Sequence, residues 1–289
     1  MYTLFADTDC DMTPKLAKEH GFKLISMPYS IDGKTIYPYE DFEEFKSKEF
    51  YDMLRGGVTP TTSAIGIDKY KAYFEPEFAA GNDILYVHFS KAMSMTFGNM
   101  DAAVKDLLEK YPDRKFYAID TRCISIGGLN IALEIGDMRN EGKTAEQIVE
   151  WAKTGIYKFA TYYFADDLKF FKRSGRVGGI TATMGTLLGV RPIIYMNADG
   201  KMVSIGKERG RVKALERLLA YVDELGEDID KHRVFIAHAD SGDFAEEFIS
   251  MLTAKYGDKL DIHCLLLNPT AGSHCGPNSM GVCFHAKHR

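Results

Sequence analysis

The sequence predicts two α/β domains, the first built on a mainly parallel sheet and the second on a mixed or antiparallel one. Three observations carry this. Up to residue 160, short apolar runs alternate with runs of helical spacing, the pattern of parallel strands with helices on both faces. Asp83 to Phe89 is almost continuously apolar, as in a strand buried on both sides. Beyond residue 160, two apolar runs flank Asn197-Ala198-Asp199-Gly200, a hairpin signal that requires antiparallel pairing. The boundary is placed near residue 160, giving domains 1–160 and 161–289. No low-complexity linker separates the halves, so they are expected to pack closely.

In chain order, Tyr2 to Ala6 reads as a strand that ends in the polar turn Asp7-Thr8-Asp9-Cys10-Asp11-Met12 before a helix over Pro14 to His20. Lys23 to Ile31 reads as the next strand and Asp32-Gly33 as a turn. Asp41 to Arg55 has helical spacing at Phe42, Phe45, Phe50 and Leu54, and stops at Gly56-Gly57. Thr61-Thr62-Ser63 precedes a helix over Asp68 to Ala79, and Ser94 and Thr96 precede one that reaches Tyr111. Lys115 to Ile119 reads as a strand, with helices over Ile124 to Asn140 and Thr144 to Phe159. Later, Tyr162 to Ala165 is a strand and Asp166-Asp167 opens a helix to Ser174. Ile193 to Met196 and Lys201 to Ile205 form the hairpin, and Arg211 to Leu225 is an amphipathic helix. Arg233 to His238, Asp243 to Tyr256 and Asp261 to Leu267 make a further strand–helix–strand set. The segment from Ala271 to Pro277 reads as an irregular loop, and Ala286 to Arg289 as a solvated tail.

Composition narrows the function classes. The chain has 289 residues, a net charge of −5 and 45% hydrophobic residues. That length suits two domains with ample core, and the absence of a basic excess or Lys/Arg block argues against nucleic acid. The start, Met1 to Asp7, lacks the basic and apolar regions of a signal peptide. No apolar run approaches the ~20 residues of a membrane span, so a cytoplasmic protein is expected. Five irregularly spaced cysteines do not make a disulfide framework. Cys264, Cys275, Cys283, His285 and His288 crowd the end of the chain, but their spacing matches no common zinc pattern. Neither a metal nor another cofactor is expected. Thirteen methionines and eighteen phenylalanines are suited to an adaptable apolar cavity as well as to ordinary core packing.

The candidate chemistry lies in three hydroxyl-bearing clusters: Thr61-Thr62-Ser63, Ser90 to Thr96, and Ala271 to Pro277 with His274 at its centre. Hydroxyls and backbone N–H groups at strand-to-helix junctions can hold a carboxylate or phosphate without a full positive charge. The glycine spacing and lysine of a phosphate-cradling loop are missing, so ATP binding by this chain is not supported. A Ser–His–Asp hydrolase using Ser94 and His274 is an alternative, although no Gly-x-Ser-x-Gly elbow occurs. Arg176, Arg191, Arg209 and Arg211 stand near loops, suited either to phosphate contact or to helix-end pairing.

Taken in order, these clusters resemble the DegV family of fatty-acid-binding proteins. Asp7 to Met12 is similar to its DSTSDL opening, with Asp7 and Asp11 matching, and Thr62-Ser63 matches its Thr-Ser pair. Ser90 to Thr96 resembles SSGLSGT, with Ser94 and Thr96 on the family's Ser and Thr. Asp120 to Gly128 resembles its Asp-Ser…Gly-x-Gly stretch, Asp167 to Val177 its D-x-L…G-G-R-I run, and Arg191-Pro192-Ile193 its Lys-Pro-Ile. Lys207 to Ala214 is similar to its basic segment, and His274-Cys275-Gly276-Pro277 to its His-x-Gly-Pro. No single motif is specific, but eight in one order are, and they cover nearly the whole chain.

The resemblance implies two α/β domains with a long-chain fatty acid between them, its carboxylate held by Thr62, Ser63 and Ser94, with Thr96 and His274 close by. It implies a non-catalytic role, the acyl-binding subunit of a bacterial fatty acid kinase, whose separate ATP-binding subunit makes the acyl phosphate used in phospholipid synthesis. Arg176 and Arg209 would then face that partner or the new phosphate. The family's two glycines in SSGLSGT are Ala92 and Met95 here, and its second Ser is Lys91. A binder of another small lipid acid remains a further alternative.

Overall fold

The computed structural model describes residues 1–178 and 189–289. The chain opens with β1 (Tyr2–Asp7), a 3-10 turn over Thr8–Cys10, and α1 (Pro14–His20). The Thr13 side chain caps α1, and Pro14 stands in its first turn, where a missing N–H leaves nothing unpaired. Then come β2 (Phe22–Ile25), β3 (Tyr29–Ile31), β4 (Lys34–Ile36), α2 (Ser47–Arg55), β5 (Thr61–Thr62) and α3 (Ile67–Ala79). β6 (Asp83–His88), α4 (Thr96–Lys110), β7 (Phe116–Asp120), α5 (Ile126–Asn140) and α6 (Ala145–Gly155) continue the alternation. The later half runs β8 (Phe159–Phe164), α7 (Leu168–Ser174), β9 (Val177–Gly178), β10 (Val190–Met196) and β11 (Met202–Arg209). It continues with α8 (Arg211–Leu225), β12 (Arg233–His238), α9 (Gly242–Tyr256), β13 (Asp261–Leu266), α10 (Pro269–Cys275) and β14 (Met280–His285).

Three sheets result, and the mixed α/β class read from the sequence holds. An all-parallel sheet has the order β2-β1-β6-β7. A seven-stranded mixed sheet has the order β13-β12-β14-β8-β10-β11-β9, and a small antiparallel sheet the order β4-β3-β5. Helices α8 and α9 cover one face of the mixed sheet, burying Leu215, Leu218, Val222 and Phe248. The other face packs on α5, which also touches the turn after β1. Ten residues of α5 are buried, all but Asn130 apolar or glycine, as suits a helix between two layers. One apolar cluster therefore runs from Leu4 and Ile84 through α5 to Phe171, Phe235 and Cys283.

Several elements differ from expectation for local reasons. Lys23 to Ile31 is not one strand. It breaks at Ser26-Met27-Pro28, where Pro28 has no N–H for a ladder, and the two pieces join different sheets. The expected helix from Asp41 starts only at Ser47. Phe42 and Phe45 instead pack with Phe50 and Tyr51 as an aromatic cluster formed from loop and helix. Ala271 to Cys275 is helix rather than loop, with Asn268 capping through its side chain. The end of the chain, Ala286 to Arg289, is only in part a solvated tail: Lys287 and His288 are exposed. β14 is a central strand between β12 and β8, Ala286 is fully buried, and Arg289 donates to the carbonyls of Thr121, Arg122 and Ile156. Among the described residues no helix is long and apolar enough to cross a membrane, and no cluster of metal-binding side chains occurs.

Since Arg289 satisfies three carbonyls from two separate segments, Arg289→Ala should cost about 1–3 kcal/mol, the usual range for losing charge-assisted hydrogen bonds. Urea unfolding checks this. An unchanged midpoint would mean that water replaces the guanidinium at no cost.

Candidate functional site

A cavity opens at the carboxyl ends of β1 and β6, where chain order reverses across the parallel sheet: β1 is followed by β2 on one side, and β6 pairs on the other. Such a switch point leaves a crevice that neighbouring loops cannot fill. Its walls are Met27, Phe89, Met93 and Ile124 from the segments after the first sheet's strands, Ile126 from the start of α5, and Phe171, Met202, Leu267 and Met280 from the second half. The empty space, mouth included, is about 960 Å³. The lining is mainly apolar and rich in methionine, whose unbranched thioether adapts to a chain of variable shape.

Polar groups gather at one part of the wall. Thr62 lies on β5, opposite Tyr29 of β3. Side chains alternate along a strand, so Thr61 is exposed while Thr62 lines the cavity, followed by Ser63. Ser94 stands just before α4, and its Oγ accepts the Thr96 N–H at 3.2 Å. The orphan N–H groups of the α4 N-terminus and their partial positive charge therefore lie beside it. His274 projects from α10 into the cavity lining. The helix ends at Gly276 with φ +73°, where a Cβ would fall 2.2 Å from the Phe170 ring, so only glycine lets α10 turn there against α7. Arg176, just beyond α7, completes the rim.

The key contact joins residues 212 apart in sequence: Thr62 Oγ1 lies 3.0 Å from His274 Nε2. Burial, reinforced by the nearby Arg176 and Arg173 guanidiniums, pushes the His274 pKa down to about 4. The imidazole is thus neutral at pH 7. If Nε2 carries its single proton, it donates to Thr62 Oγ1 and leaves the Thr62 hydroxyl proton free to point at an anion. The arrangement presents neutral donors to the cavity, with one arginine at the rim.

Other expected residues go elsewhere. Thr96 is buried and its Oγ1 is engaged by the Ile65 N–H and the Tyr70 hydroxyl, both at 3.0 Å, so it braces α4 and does not line the cavity. Ser90 is consumed likewise, donating to the Gly200 carbonyl at 2.7 Å. Arg209 is exposed at the far end of β11. Met202 starts that strand and lines the cavity, so at about 3.3 Å per residue Arg209 lies roughly 20 Å away. It cannot share a ligand with Arg176. Arg191 pairs with Asp166, and Arg211 with Asp243 and Glu247.

A family model described as "Uncharacterised protein, DegV family" matches residues 2–287. The chain belongs to the DegV family. A DegV domain-containing protein of Clostridium perfringens is 31% identical to it over 283 residues, 98% of this chain and 97% of that one. Another, from Caldanaerobacter subterraneus, is 28% identical over 98% of each chain. Solved structures share the fold. One, described as a stearic acid-binding protein from Eubacterium ventriosum, has a TM-score of 0.88 at 22% identity over 99% of each chain. Another, a DegV family protein from Eubacterium eligens described as loaded with heptadecanoic acid, has a TM-score of 0.84 at 23% identity over 99% of this chain and 100% of that one.

Sequence reasoning missed part of this DegV-family cavity. Asp9 and Tyr163 line it, yet a polar turn and a tyrosine in an apolar strand carry no local sign of pointing inward. Alternation along β8 places Thr161 and Tyr163 on one face, which becomes informative only once the opposing layer is known.

The depressed His274 pKa has a signed consequence. Between its ordinary value near 6.5 and about 4, the unfolded chain binds a proton at His274 that the folded chain refuses. Stability is therefore lost as pH falls through that window. His274→Gln should lose less stability than the parent between pH 7 and 4.5, by about 1–3 kcal/mol. Urea titrations at the two pH values measure it, and parallel losses in both proteins would show that the imidazole titrates normally.

Proposed function

We propose that the protein binds a long-chain fatty acid, with its tail in the apolar cavity and its carboxylate against Thr62, Ser63 and Ser94. The observation that carries this is the pairing of a methionine- and aromatic-lined cavity with neutral hydroxyl donors grouped on one side. The fatty acids named for the Eubacterium structures of the same fold support the same ligand class. Burying about 14 methylenes at about 0.8 kcal/mol each is worth roughly 11 kcal/mol before the costs of association. The tail supplies most of the affinity, and the head-group bonds fix its orientation.

That division of labour supports presentation of the acid rather than its turnover. Hydroxyl donors hold one carboxylate oxygen and leave the other free as a nucleophile, whereas a bidentate arginine pair would occupy both. From the rim, an open groove runs past Lys91, Met95, Arg176 and Lys201. Met95 is 91% exposed, and the basic side chains suit an incoming phosphoryl group. The protein is read as the acyl-binding, non-catalytic subunit that offers the bound acid to a separate ATP-binding kinase subunit in the cytoplasm. The resulting acyl phosphate would feed phospholipid synthesis. Division into domains 1–160 and 161–289, with the acid between them, belongs to the same proposal.

The hydrolase alternative is disfavoured by the histidine. A general base works best with a pKa near the operating pH, and His274 is held down at about 4. Its hydrogen-bonding partner is Thr62, not Ser94. Among the described residues no carboxylate hydrogen-bonds to it to orient the ring, as a triad requires.

Mass spectrometry of material extracted from the denatured protein should yield a stoichiometric long-chain fatty acid, and an empty protein or a non-acyl ligand would overturn the assignment. Thr62→Ala or Ser94→Ala should weaken fatty-acid binding by only about tenfold, the value of one or two such bonds. Either change should also slow acyl-phosphate formation with the ATP-binding partner by a larger factor, because orientation is lost. Equal rates for parent and variants would refute the head-group placement.

A further inference from the structure

Resting on the fatty-acid reading above, a step in the mixed sheet bears on which acyl chains the cavity takes. β12, β14 and β8 are neighbours, and their registers place Ala237, Gly281 and Tyr163 in one row across them. All three line the cavity. Ala237 belongs to the apolar cluster of Phe235 and Cys283, whereas Val234, Ile236 and Val282 pack with α8 and α9. Its methyl group therefore faces away from those helices, into the cavity. Gly281 has no side chain, and a Cβ there would fall 2.8 Å from that of Tyr163. Leu265 stands beside Ala237 on β13, and Tyr163 beside Gly281 on β8. The row is thus low at two adjacent strands, between two large side chains.

Helices bound this step along the strands. Phe235, Cys283 and Thr161 form the next row on the same face. A Cβ at Gly127 would fall 2.4 Å from Thr161 Oγ1, and the Asn130 amide lies 3.6 Å from Cys283 Sγ. The first turns of α5 therefore rest on that row and leave Ala237 and Gly281 uncovered. In the opposite direction Ser279 donates to the Cys275 carbonyl at 3.0 Å, so the end of α10 stands over the row beyond.

The step lies far from the opening. Met93, Ser94, Arg176 and Met202 line both the cavity and the groove outside it. Met202 is on β11 and Ala237 on β12, with β10, β8 and β14 between them, so four strand spacings separate them by roughly 20 Å. That is the reach of an extended long-chain acyl tail. A tail whose carboxylate is held at Ser94 arrives at Ala237 with its methyl end.

We propose that the methyl end of the acyl chain rests on the step at Ala237 and Gly281, and that Ala237 sets the longest chain the cavity takes. A larger side chain at this position would occupy the place of the last methylenes, and a close-packed interior has little slack with which to make new room. The carboxylate contacts lie at the other end, so the change acts on chain length.

The test compares laurate, myristate, palmitate and stearate by displacement of a fluorescent acyl probe from the full-length protein and from Ala237→Val, Ala237→Leu and Ala237→Gly. The two enlarged variants should move the optimum stepwise to shorter acids, with stearate losing about tenfold or more against laurate in Ala237→Leu. An optimum that does not change from parent to Ala237→Leu, or an equal loss for all four acids, refutes the assignment while fatty-acid binding stands. If the parent binds none of the four, the fatty-acid reading fails, and this inference with it. Should neither enlarged variant fold, Ala237→Gly decides. It removes one methyl group, cannot overpack, and should favour stearate over laurate by about threefold more than the parent does; an unchanged ratio overturns the proposal.

Discussion

The cavity depends on one buried carboxylate. Asp11 Oδ1 accepts the backbone N–H of Asn268 at 3.0 Å and its side-chain amide at 2.6 Å, and Oδ2 accepts from the Ser125 hydroxyl. Three segments meet there: the turn after β1, the start of α5 and the start of α10, with Asn268 257 residues along the chain from Asp11. Asp11 is 3% exposed, and burial raises its pKa to about 6, so it is still largely ionised at pH 7. A buried charge of this kind is strongly destabilising unless its donors are held in place. The constraint acts both ways: the donors permit the charge, and the charge fixes the donors. Asn268 in turn caps α10 by accepting the Ala271 N–H at 2.9 Å. The helix that carries His274 is therefore registered against the first sheet by an electrostatic requirement, with the apolar cluster that spans both sheets packed behind it.

Close backbone approach tightens this registration. A Cβ at Gly272 would fall 2.7 Å from the Tyr51 hydroxyl, so α10 lies directly on α2, and Tyr51 completes the joint by donating to the Leu267 carbonyl at 3.0 Å. Packing at this density leaves little slack. The 3.0 Å contact between Thr62 and His274 follows from where β5 and α10 are clamped. Neither residue needs a strained conformation to reach the other.

The elements that were legible in the sequence are those whose signal is local. Asp83 to Phe89 reads as a buried strand because Ile84 to Val87 is unbroken apolar sequence, and the turn at Asn197 to Gly200 reads as a hairpin because only a few residues suit it. What was not legible depends on partners far away in the chain. Met280 to His285 contains glycine, cysteine and histidine, and becomes a central strand only because β8 and β12 stand on either side. Ala271 to Cys275 carries Gly272 and Ser273, poor helix formers, and is helical because Asn268 caps it and the first sheet holds it. The site shows the same division. Thr62, Ser63, Ser94 and His274, read from the sequence as small hydroxyls and a histidine in polar clusters, all line the cavity. Thr96 has the same residue type and spacing but faces Tyr70 instead, a difference of side-chain direction that a motif does not encode.

The electrostatics of the cavity follow from what each part must do. At the His274 end, burial first, and then Arg176 and Arg173, depress the His274 pKa, and the two guanidiniums add positive potential there. The donors at the wall itself are neutral. A protonated His274 would place a full charge beside Thr62, and the neutral imidazole leaves hydrogen bonding as the contact there. Deeper along α10 the logic inverts. There the carboxyl groups of Asp7, Asp9 and Asp11 crowd one turn, two of them with donors and one without. Asp9, without such donors, has its pKa raised well above the ordinary carboxylate range by burial and by Asp7 and Asp11. Within one short acidic stretch, Asp11 is thus a charged clamp and Asp9 a carboxyl that resists ionisation, and the N–H and O–H groups around each account for the difference.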